Sequence, residues 1–375
     1  MRLTLVIASL GRGGAERTAS VLASAWAEKG IHVTLITYLR DDVPAYPLHA
    51  GVVLRQLHLR GGAARHFFHG LVRNLKVVRA LRRAIRESAP DLIVSFMDIP
   101  NVLTLLAARG INAPVVVTEH THPAYHDIGW MWQILRRLVY DRADALVCMT
   151  TPVLSWFQQR FKIRGFIIPN SVDPPPSHVD KLLKRDMTKS FVIAMGRLSW
   201  EKGFDLLLDA FSRIAVRHPN WSLRILGEGP LRQSLEEQVQ NLNLNGRVEL
   251  TGALEDPFPV LQAADIFVFS SRFEGFGNAL CEAMACGLPV ISFSCPSGPP
   301  EIIRDGIDGL LVPPENTSAL ATAMDRLMCS AHERILLAAR APEVVSRFSR
   351  QRIMGLWDQL FAEVMAKREN QDLHQ

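Results

Sequence analysis

The sequence predicts an α/β protein made of two doubly wound units, and three observations support this prediction. The chain has 375 residues, which is too many for one ordinary hydrophobic core and enough for two domains. Short β-branched apolar runs alternate with helical patterns, which is typical of parallel sheets covered by helices on both faces. A proline-rich stretch at 169–179 (PNSVDPPPSHV) interrupts this alternation, which then starts again.

The pattern of apolar runs in the first half of the chain predicts one parallel sheet. A strand at 3–9 (LTLVIAS), a helix at 13–30 and a strand at 32–38 (HVTLITY) follow one another directly. The strands are continuous apolar runs, as expected where both faces of a sheet are buried. Further strands are predicted at 91–96, 114–120, 145–150 and 165–170.

The second half repeats this organisation. A strand at 191–198 (FVIAMGRL) precedes a helix at 203–218, and ligands of such sheets bind beyond the carboxyl ends of the strands. Further strands are predicted at 222–229, 247–252, 265–271, 288–293 and 309–313. The last 30 residues predict a helix, because apolar residues recur there at helical spacing: Trp357, Leu360, Phe361 and Val364.

The composition indicates a globular protein. Of the residues, 48% are hydrophobic and 21% are charged, and no apolar run is suited to a transmembrane helix. The five cysteines form no Cys-x-x-Cys pair and most lie in apolar stretches, which favours a reduced, intracellular protein. The charge is uneven, with 21 Lys/Arg against 12 Asp/Glu up to Asp173 and a net −4 in the remainder. The basic first half is therefore expected to face something anionic.

A glutamate pair in EGFGNALCE (274–282) raises the question of a ligand. Glu274 follows the predicted strand at 265–271, Gly277 allows a close backbone approach, and Asn278 is a good cap for the helix that follows. The free N–H groups of that helix form an anion site, and Glu282 lies one turn further on. Ionised carboxylates only accept hydrogen bonds and so bind hydroxyls well. A ligand with phosphates and many hydroxyls, a nucleotide sugar, fits both groups.

Two cations follow the strand at 191–198. Arg197 and Lys202 lie in GRLSWEKGFD (196–205), beside a loop and the start of a helix. Two cations near a helix N-terminus suit a pyrophosphate.

Several segments, taken in order, resemble the retaining glycosyltransferases of family 4. In the second half these are GRLSWEKGFDLLLDAF, LRILGEGPLRQSLE, VELTG, AADIFVFSSRFEGFGNALCEAMACGLPVI and GIDGLLVPPEN; in the first half they are SLGRGGAER, VVVTEH and PNSVD. The resemblance implies the GT-B fold, an α/β architecture in which two doubly wound Rossmann-like domains face each other across a cleft. It divides the chain into an acceptor-binding domain at 1–173, a nucleotide-sugar-binding domain at 174–345, and a helix at 346–375 that crosses back to the first domain.

The resemblance also assigns roles to single residues. Glu274 lies next to the transferred sugar, and His120 lies near the reacting sugar, with His122 as its substitute. On the donor side, Arg197 and Lys202 bind the diphosphate, Glu282 binds the ribose, and the backbone at Gly277, Asn278 and Leu280 reaches sugar and phosphate oxygens. Gly13 and Gly14 form the acceptor-side loop that closes over the donor phosphates.

The expected reaction is metal-independent transfer with retention of configuration. When the sugar–phosphate bond breaks, negative charge develops on the diphosphate, and Arg197, Lys202 and the helix end stabilise it. The chain has no Asp-x-Asp sequence, so we expect no metal at the diphosphate, and no cofactor. The resemblance to the family implies that retention proceeds by front-face attack assisted by the leaving phosphate, with Glu274 positioning the sugar.

A basic stretch at 64–87 predicts how the acceptor is met. Apolar residues recur there at helical spacing, and basic residues occupy much of the rest, among them Arg73, Lys76, Arg79, Arg82 and Arg83. Such a helix suits an anionic membrane, the pyrophosphate of a lipid-linked sugar, or a packed position with a solvated basic face. With a second aromatic and basic stretch at 129–140, it favours a polyprenyl-diphosphate-linked glycan as acceptor, and a cytoplasmic enzyme bound peripherally to the inner face of the membrane. Nucleic acid is a poor partner, because no stacking or reading motif accompanies the charge.

Several alternatives remain open at this point. A dinucleotide-dependent oxidoreductase would need a Gly-x-Gly-x-x-Gly turn and an acid at the tip of the second strand, and the chain has neither. A glycoside hydrolase needs two carboxylates on opposite sides of a bond, which Glu274 and Glu282 do not easily provide. A nucleotide-sugar epimerase and a non-catalytic nucleotide-sugar-binding protein both stay compatible. The sugar, the base of the donor (UDP by resemblance), the acceptor and the linkage are not determined.

Overall fold

A computed structural model describes residues 1–39, 43–59, 67–176 and 190–372 of the chain. The proline-rich stretch at 169–179 and the basic stretch at 64–87 each lie partly outside these residues. The chain forms two compact units. The first comprises Met1–Pro169 with Met354–Gln375, and the second comprises Asn170–Ile353.

The first unit is built on a parallel sheet of seven strands in the order β3-β2-β1-β4-β5-β6-β7. Strand order reverses beside β1, which pairs with both β2 and β4; Leu5 lies opposite Leu35 on one side and Val94 on the other. The strands are β1 (Arg2–Ile7), β2 (His32–Leu39), β3 (Val52–Leu59), β4 (Leu92–Phe96), β5 (Val115–Glu119), β6 (Ala145–Cys148) and β7 (Gly165–Ile167).

Helices connect these strands and bury their apolar sides against the sheet. They are α1 (Gly14–Glu28), α2 (Phe67–Ser88), α3 (Asp98–Ala107), α4 (Trp130–Val139) and α5 (Thr151–Gln158). Helices α2 to α5 contribute to one hydrophobic core with strands of the sheet, and Leu81, Tyr140 and Phe157 are fully buried in it.

The second unit repeats the architecture with six parallel strands in the order β10-β9-β8-β11-β12-β13. They are β8 (Ser190–Met195), β9 (Trp221–Leu226), β10 (Val248–Gly252), β11 (Ile266–Phe269), β12 (Val290–Phe293) and β13 (Leu310–Val312). The helices are α6 (Phe204–Ala215), α7 (Arg232–Asn241), α8 (Phe258–Ala263), α9 (Asn278–Ala285), α10 (Pro299–Ile302), α11 (Thr317–Cys329), α12 (Ala331–Arg340) and α13 (Glu343–Arg347). Phe211, Ile225 and Phe293 are fully buried in its core.

The final helix, α14 (Arg350–Asp372), supplies residues from Met354 onward to the first unit. Trp357 and Phe361 pack on Trp26 of α1, with ring centroids 5.4 and 5.2 Å away. Lys29 forms an ion pair with Asp358 at 2.7 Å. The four apolar residues that predicted this helix are all buried: Trp357, Leu360, Phe361 and Val364. Among the described helices, none combines the length and apolarity needed to span a bilayer.

Strand β3 was not predicted from the sequence. It is an edge strand of the first sheet, and Val53 is 62% exposed. Its polar residues follow no clean alternation, and Arg55 forms an ion pair with Glu87 of α2. An edge strand that is half exposed lacks the continuous apolar run by which buried parallel strands are recognised.

Candidate active site

Lys202 and Glu274 form an ion pair in the second unit. The Lys202 ammonium lies 2.6 Å from Oε1 of Glu274, and the hydroxyl of Ser271 donates a hydrogen bond to the same oxygen at 2.6 Å. The side chains are only 22% and 11% exposed. A nearly buried carboxylate is thus held by a cation and a hydroxyl, as burial of a charge requires.

The topology of the sheet explains why Lys202 and Glu274, which are 72 positions apart in the sequence, are in contact. Lys202 lies in the connection after β8 and Glu274 in the connection after β11, and these strands are parallel neighbours. Their carboxyl ends therefore lie at one edge of the sheet. The Ser270 hydroxyl donates to the carbonyl of Lys202 at 2.9 Å and joins the two loops.

Two glycines let the loops pack backbone to backbone. Gly203 has φ +61°, and a Cβ there would lie 2.1 Å from the carbonyl oxygen of Ser270. Gly298 has φ +92°, and its Cβ would lie 2.0 Å from the carbonyl oxygen of Phe276. Neither position has room for a side chain, so the Glu274 loop is fixed on both sides by contacts that only glycine permits.

Helix α9 begins directly after the Glu274 loop. Gly277, with φ +123°, is its N-cap, and Asn278 is its first helical residue and not the cap that the sequence predicts. The Asn278 side chain instead accepts a hydrogen bond at 2.9 Å from Asn170. Leu280 is fully buried, and Glu282 lies partly buried one turn into the helix. The first N–H groups of α9 thus lie beside Glu274, where they suit an anion.

Arg197 lies five residues before Lys202 in the connection after β8, and its side chain is exposed. Within the described part of the chain, no hydrogen bond or ion pair to its guanidinium is found. Lys202 is thus paired with Glu274, whereas the Arg197 guanidinium has no such partner among the described residues.

Arg272 is a residue of this site that the sequence analysis missed. Its guanidinium binds both carboxylate oxygens of Asp205, at 2.9 and 2.6 Å, and also Glu315 at 3.0 Å and the carbonyl of Trp200 at 2.7 Å. The hydrogen bonds to Asp205 raise the pKa of Arg272. The side chain is only 8% exposed, so it braces the Glu274 loop against the start of α6. Its partners are distant in sequence, which leaves no local signal by which to find it.

In the first unit, the glycine-rich loop leads into α1. Gly13 is the N-cap and the exposed Gly14 is the first helical residue. The loop follows β1, whose neighbour β4 lies on the other side of the strand-order reversal. The predicted pair of glycines therefore lies at the carboxyl edge of the first sheet.

The two predicted histidines follow β5 at the same edge. His120 Nε2 lies 2.9 Å from the hydroxyl of Thr118, and its ring packs on Phe96. Burial lowers the pKa of His120 to about 3, so this imidazole is neutral at physiological pH. His122 is buried, and its Nδ1 accepts a hydrogen bond at 3.2 Å from the backbone of Ala124. One nitrogen of His122 is thus used in shaping the loop.

The basic helix α2 packs by its second half. Val77, Leu81 and Ile85 are buried, whereas Leu75, which the sequence places on the same apolar side, is 46% exposed. Arg82 donates to the carbonyls of Ala107 and Arg109 and so ties α2 to the end of α3. Of the other predicted cations, Arg73 is partly buried and Lys76, Arg79 and Arg83 are exposed.

Two family models match the chain. One, described as Glycosyltransferase Family 4, matches residues 12–175, and one, described as Glycosyl transferases group 1, matches residues 189–330. The chain belongs to the family 4 glycosyltransferases. The first match includes strands β2 to β7 of this glycosyltransferase, and the second includes β8 to β13.

Curated relatives of this glycosyltransferase include bacterial glycosyltransferases. One from Campylobacter jejuni is named as an alpha-1,4-N-acetyl-D-galactosaminyltransferase for a glycan on diphospho-undecaprenol; it is 28% identical over 97% of this chain and 99% of its own. The lipopolysaccharide core biosynthesis glycosyltransferase LpsE of Rhizobium meliloti is 29% identical over 93% of this chain and 96% of its own.

Solved structures show that the glycosyltransferase has the GT-B fold. The sucrose-phosphate synthase of Thermosynechococcus elongatus matches with a TM-score of 0.82 and 23% identity, covering 97% of this chain and 99% of its own. The HepE protein of Anabaena in complex with UDP and glucose matches with a TM-score of 0.76 and 20% identity, covering 98% and 99%.

A buried carboxyl group, Glu119, lies at the end of β5 and was also missed by the sequence analysis. The Tyr140 hydroxyl donates to its Oε1, and the Asn101 amide lies 3.4 Å from the same oxygen. Burial raises the pKa of Glu119 to about 7. The glycosyltransferase therefore holds a carboxyl group here that is largely protonated below neutral pH.

Replacing Glu119 by glutamine is expected to stabilise the glycosyltransferase relative to the wild type as the pH rises. The pKa of Glu119 is about 7 in the folded chain, whereas that of an ordinary solvated glutamate is 4.5. Below about pH 4.5 the carboxyl group is protonated in both states, and the wild type keeps its full stability. Between about pH 4.5 and pH 7 it loses its proton first in the unfolded chain, so the wild type loses stability that the glutamine variant keeps. The gain in free energy of unfolding should reach at most about 3 kcal/mol above pH 7.5. Denaturant unfolding at several pH values measures it. Glu87→Gln is the control and should show no such rise, since its arginine partners lower the pKa of Glu87; a pH-independent effect of Glu119→Gln would contradict the prediction.

Proposed function

We propose that this glycosyltransferase moves a hexose or N-acetylhexosamine from a nucleoside diphosphate sugar, UDP being the expected nucleotide, to a polyprenyl-diphosphate-linked glycan, with retention of configuration and without a metal. The second unit binds the donor and the first unit binds the acceptor. The observation that carries the proposal is the Lys202–Glu274 pair at 2.6 Å beside the first turn of α9.

The pair suits the two halves of a nucleotide sugar. Lys202, the exposed Arg197 and the N–H groups of α9 supply positive charge to the diphosphate, whose negative charge grows as the sugar leaves. Glu274 has acceptor capacity beyond its two present partners, so it can take sugar hydroxyls while it orients Lys202. Glu282, one turn along α9, is assigned to the ribose hydroxyls.

Retention of configuration fits a carboxylate that positions and does not attack. Glu274 is held by Lys202 and Ser271, and a carboxylate so neutralised is a weak nucleophile. We propose that the acceptor hydroxyl attacks the anomeric carbon on the face of the leaving diphosphate and passes its proton to a phosphate oxygen. The neutral His120 then contributes a hydrogen bond to the sugar and no charge.

The named substrates of relatives and structural neighbours support the choice of donor and acceptor. The Campylobacter jejuni relative acts, by its name, on an undecaprenol diphosphate carrying sugars, and the HepE structure holds UDP and glucose. UDP matches a donor site that binds a diphosphate, and an undecaprenol diphosphate matches the basic first unit.

Helix α4 supports action at a membrane surface. Trp130, Ile134 and Leu138 recur every fourth residue and are 70%, 48% and 64% exposed, and Arg137 beside them is also exposed. Large apolar side chains in an exposed row next to cations suit the headgroup region of an anionic bilayer. The exposed cations of α2 in the same unit add to this attraction.

A panel of radiolabelled nucleotide sugars, incubated with membrane lipid extract, tests the proposed function. Transfer of one label into an organic-soluble product, with retained anomeric configuration and undiminished by a chelator, is the expected result. Conversion of the free nucleotide sugar to its epimer would favour an epimerase, and binding without any product would favour a non-catalytic binding protein. If transfer depends on an added divalent metal, the proposed metal independence is wrong but the proposed transfer reaction stands.

Replacing Trp130 and Leu138 together by serine is expected to weaken binding to anionic vesicles by about 10- to 100-fold. Full burial of both side chains would contribute about 3–6 kcal/mol, and insertion into the headgroup region buries only about half of that surface. Sedimentation with phosphatidylglycerol vesicles measures the partition. The matched control replaces Ile335 and Leu336, which are exposed on α12 of the second unit at 65% and 55%. Equal losses in both variants, or none in the first, would contradict a membrane role for α4.

A further inference from the structure

Asp98 and His126 form a polar pair in the first unit. His126 Nε2 lies 3.3 Å from Oδ2 of Asp98. The Asp98 side chain is 11% exposed and that of His126 is 46% exposed. The pair therefore consists of a nearly buried carboxylate and a histidine that reaches solvent.

The position of Asp98 in the sheet is the one where doubly wound proteins bind ligands. Asp98 is the first residue of α3, directly after β4, and β4 lies beside β1 where the strand order reverses. Ligands of open parallel sheets bind beyond the carboxyl ends of the strands at this reversal. The loop with Gly13 and Gly14 follows β1 and so flanks the same point.

The backbone at this point is strained. Met97, the residue before Asp98, has φ +77° and ψ 158°, a conformation that non-glycine residues avoid at a cost of about 1–3 kcal/mol. Its amide is held by the carbonyl of Thr118 at 3.0 Å, and its carbonyl accepts from Asn101 at 2.9 Å. The chain thus keeps Asp98 at the strand tip against a backbone preference.

The Asp98 carboxylate retains capacity for a ligand. Oδ1 accepts from the amide of Ile99 at 2.6 Å and Oδ2 pairs with His126, whereas an ionised carboxylate has about four lone-pair sites. On the same side of α3, one turn on, Asn101 is fully buried, and its Oδ1 has no hydrogen-bond partner among the described residues. The acceptor sites of the Asp98 carboxylate that Ile99 and His126 leave open therefore suit a ligand with hydroxyl donors.

We infer that Asp98 binds a hydroxyl of the acceptor's terminal sugar and that His126 is a positioning residue that holds the carboxylate in place for it. This inference rests on the proposed function, because it presumes a glycan acceptor on the first unit. A carboxylate that accepts from sugar hydroxyls contributes to acceptor recognition and leaves donor binding in the second unit unaffected.

The test uses Asp98→Asn and His126→Gln in the full chain, with steady-state kinetics at varied acceptor and donor concentrations. The acceptor probe is the lipid-linked glycan fraction of membrane extract, quantified by its phosphate, and UDP binding is followed by calorimetry. Asp98→Asn should raise the acceptor KM by about 10- to 100-fold, as expected for loss of a hydrogen bond to a charged group. His126→Gln should raise it by a smaller factor, and in both variants the donor KM and the Kd for UDP should stay within about twofold.

Asp91→Asn is the matched control, because Asp91 immediately precedes β4 at the opposite edge of the sheet and its side chain is 34% exposed. Its acceptor KM should stay at the wild-type value. If Asp98→Asn fails to fold by thermal denaturation, His126→Gln decides, since His126 is an exposed loop residue. If the acceptor KM of Asp98→Asn is unchanged, or if donor and acceptor parameters change equally, the inference about Asp98 is wrong but the proposed function stands. If the wild type neither binds nor transfers a nucleotide sugar, both the proposed function and this inference are wrong.

Discussion

Replacing Lys202 by alanine is expected to lower the rate of glycosyl transfer by about 10²- to 10³-fold, the loss typical of removing one preorganised group that stabilises developing charge. The Lys202 side chain is only 22% exposed, so water screens its charge less than that of a surface lysine. The effect should appear in kcat, since the charge on the diphosphate grows most in the transition state. Transfer of label from the accepted nucleotide sugar measures it.

Arg213→Ala is the matched control for Lys202→Ala. Arg213 is a cation of the same unit, 47% exposed, that pairs with Asp209 at 2.9 Å on α6. Its loss should leave kcat unchanged. Wild-type turnover in Lys202→Ala, or an equal loss in the control, would count against a donor diphosphate at this site, and circular dichroism of both variants checks that they fold.

Replacing Glu274 by alanine is expected to lower transfer by at least about 10²-fold, because two interactions disappear together. The sugar loses a hydroxyl acceptor, and Lys202 loses the partner that orients it at 2.6 Å. The double variant Lys202→Ala with Glu274→Ala should therefore lose much less than the product of the two single losses, since residues in contact act as a unit.

A double-mutant cycle on kcat measures this coupling. Multiplicative losses would show that the two side chains act independently, which the ion pair does not allow if it persists in the donor complex. Glu274→Gln separates the two effects: it keeps the shape and one acceptor oxygen but removes the charge that holds Lys202.

The strands were predicted well where they are buried on both faces. Observed strands such as β1, β8 and β11 overlap the predicted runs, whose extra residues at the carboxyl end belong to the loops that carry function. The sequence pattern gives no sharp sign of where these strands stop, so it overestimates their length. Strand β3 was missed because it is not a continuous apolar run: polar residues interrupt it, and its Val53 side chain is exposed.

The candidate site could be predicted only in its parts. The sequence indicated Lys202 and Glu274 as ligand-binding residues, but not that they contact each other, since 72 residues separate them. Arg272 and Glu119 gave no signal, because their partners come together only in the folded chain. Gly298 was not singled out either: its importance depends on the carbonyl of Phe276, to which nothing in the local sequence points.

The seating of the final helix has a consequence for how the chain is made. Trp26 is completely enclosed, and the rings that pack on it, Trp357 and Phe361, are synthesised roughly three hundred residues later. On the ribosome, residues 170–353 are complete before the residues that cover Trp26 emerge. The unit that begins the chain is thus the last to finish, and until then an indole surface stays open to chaperones.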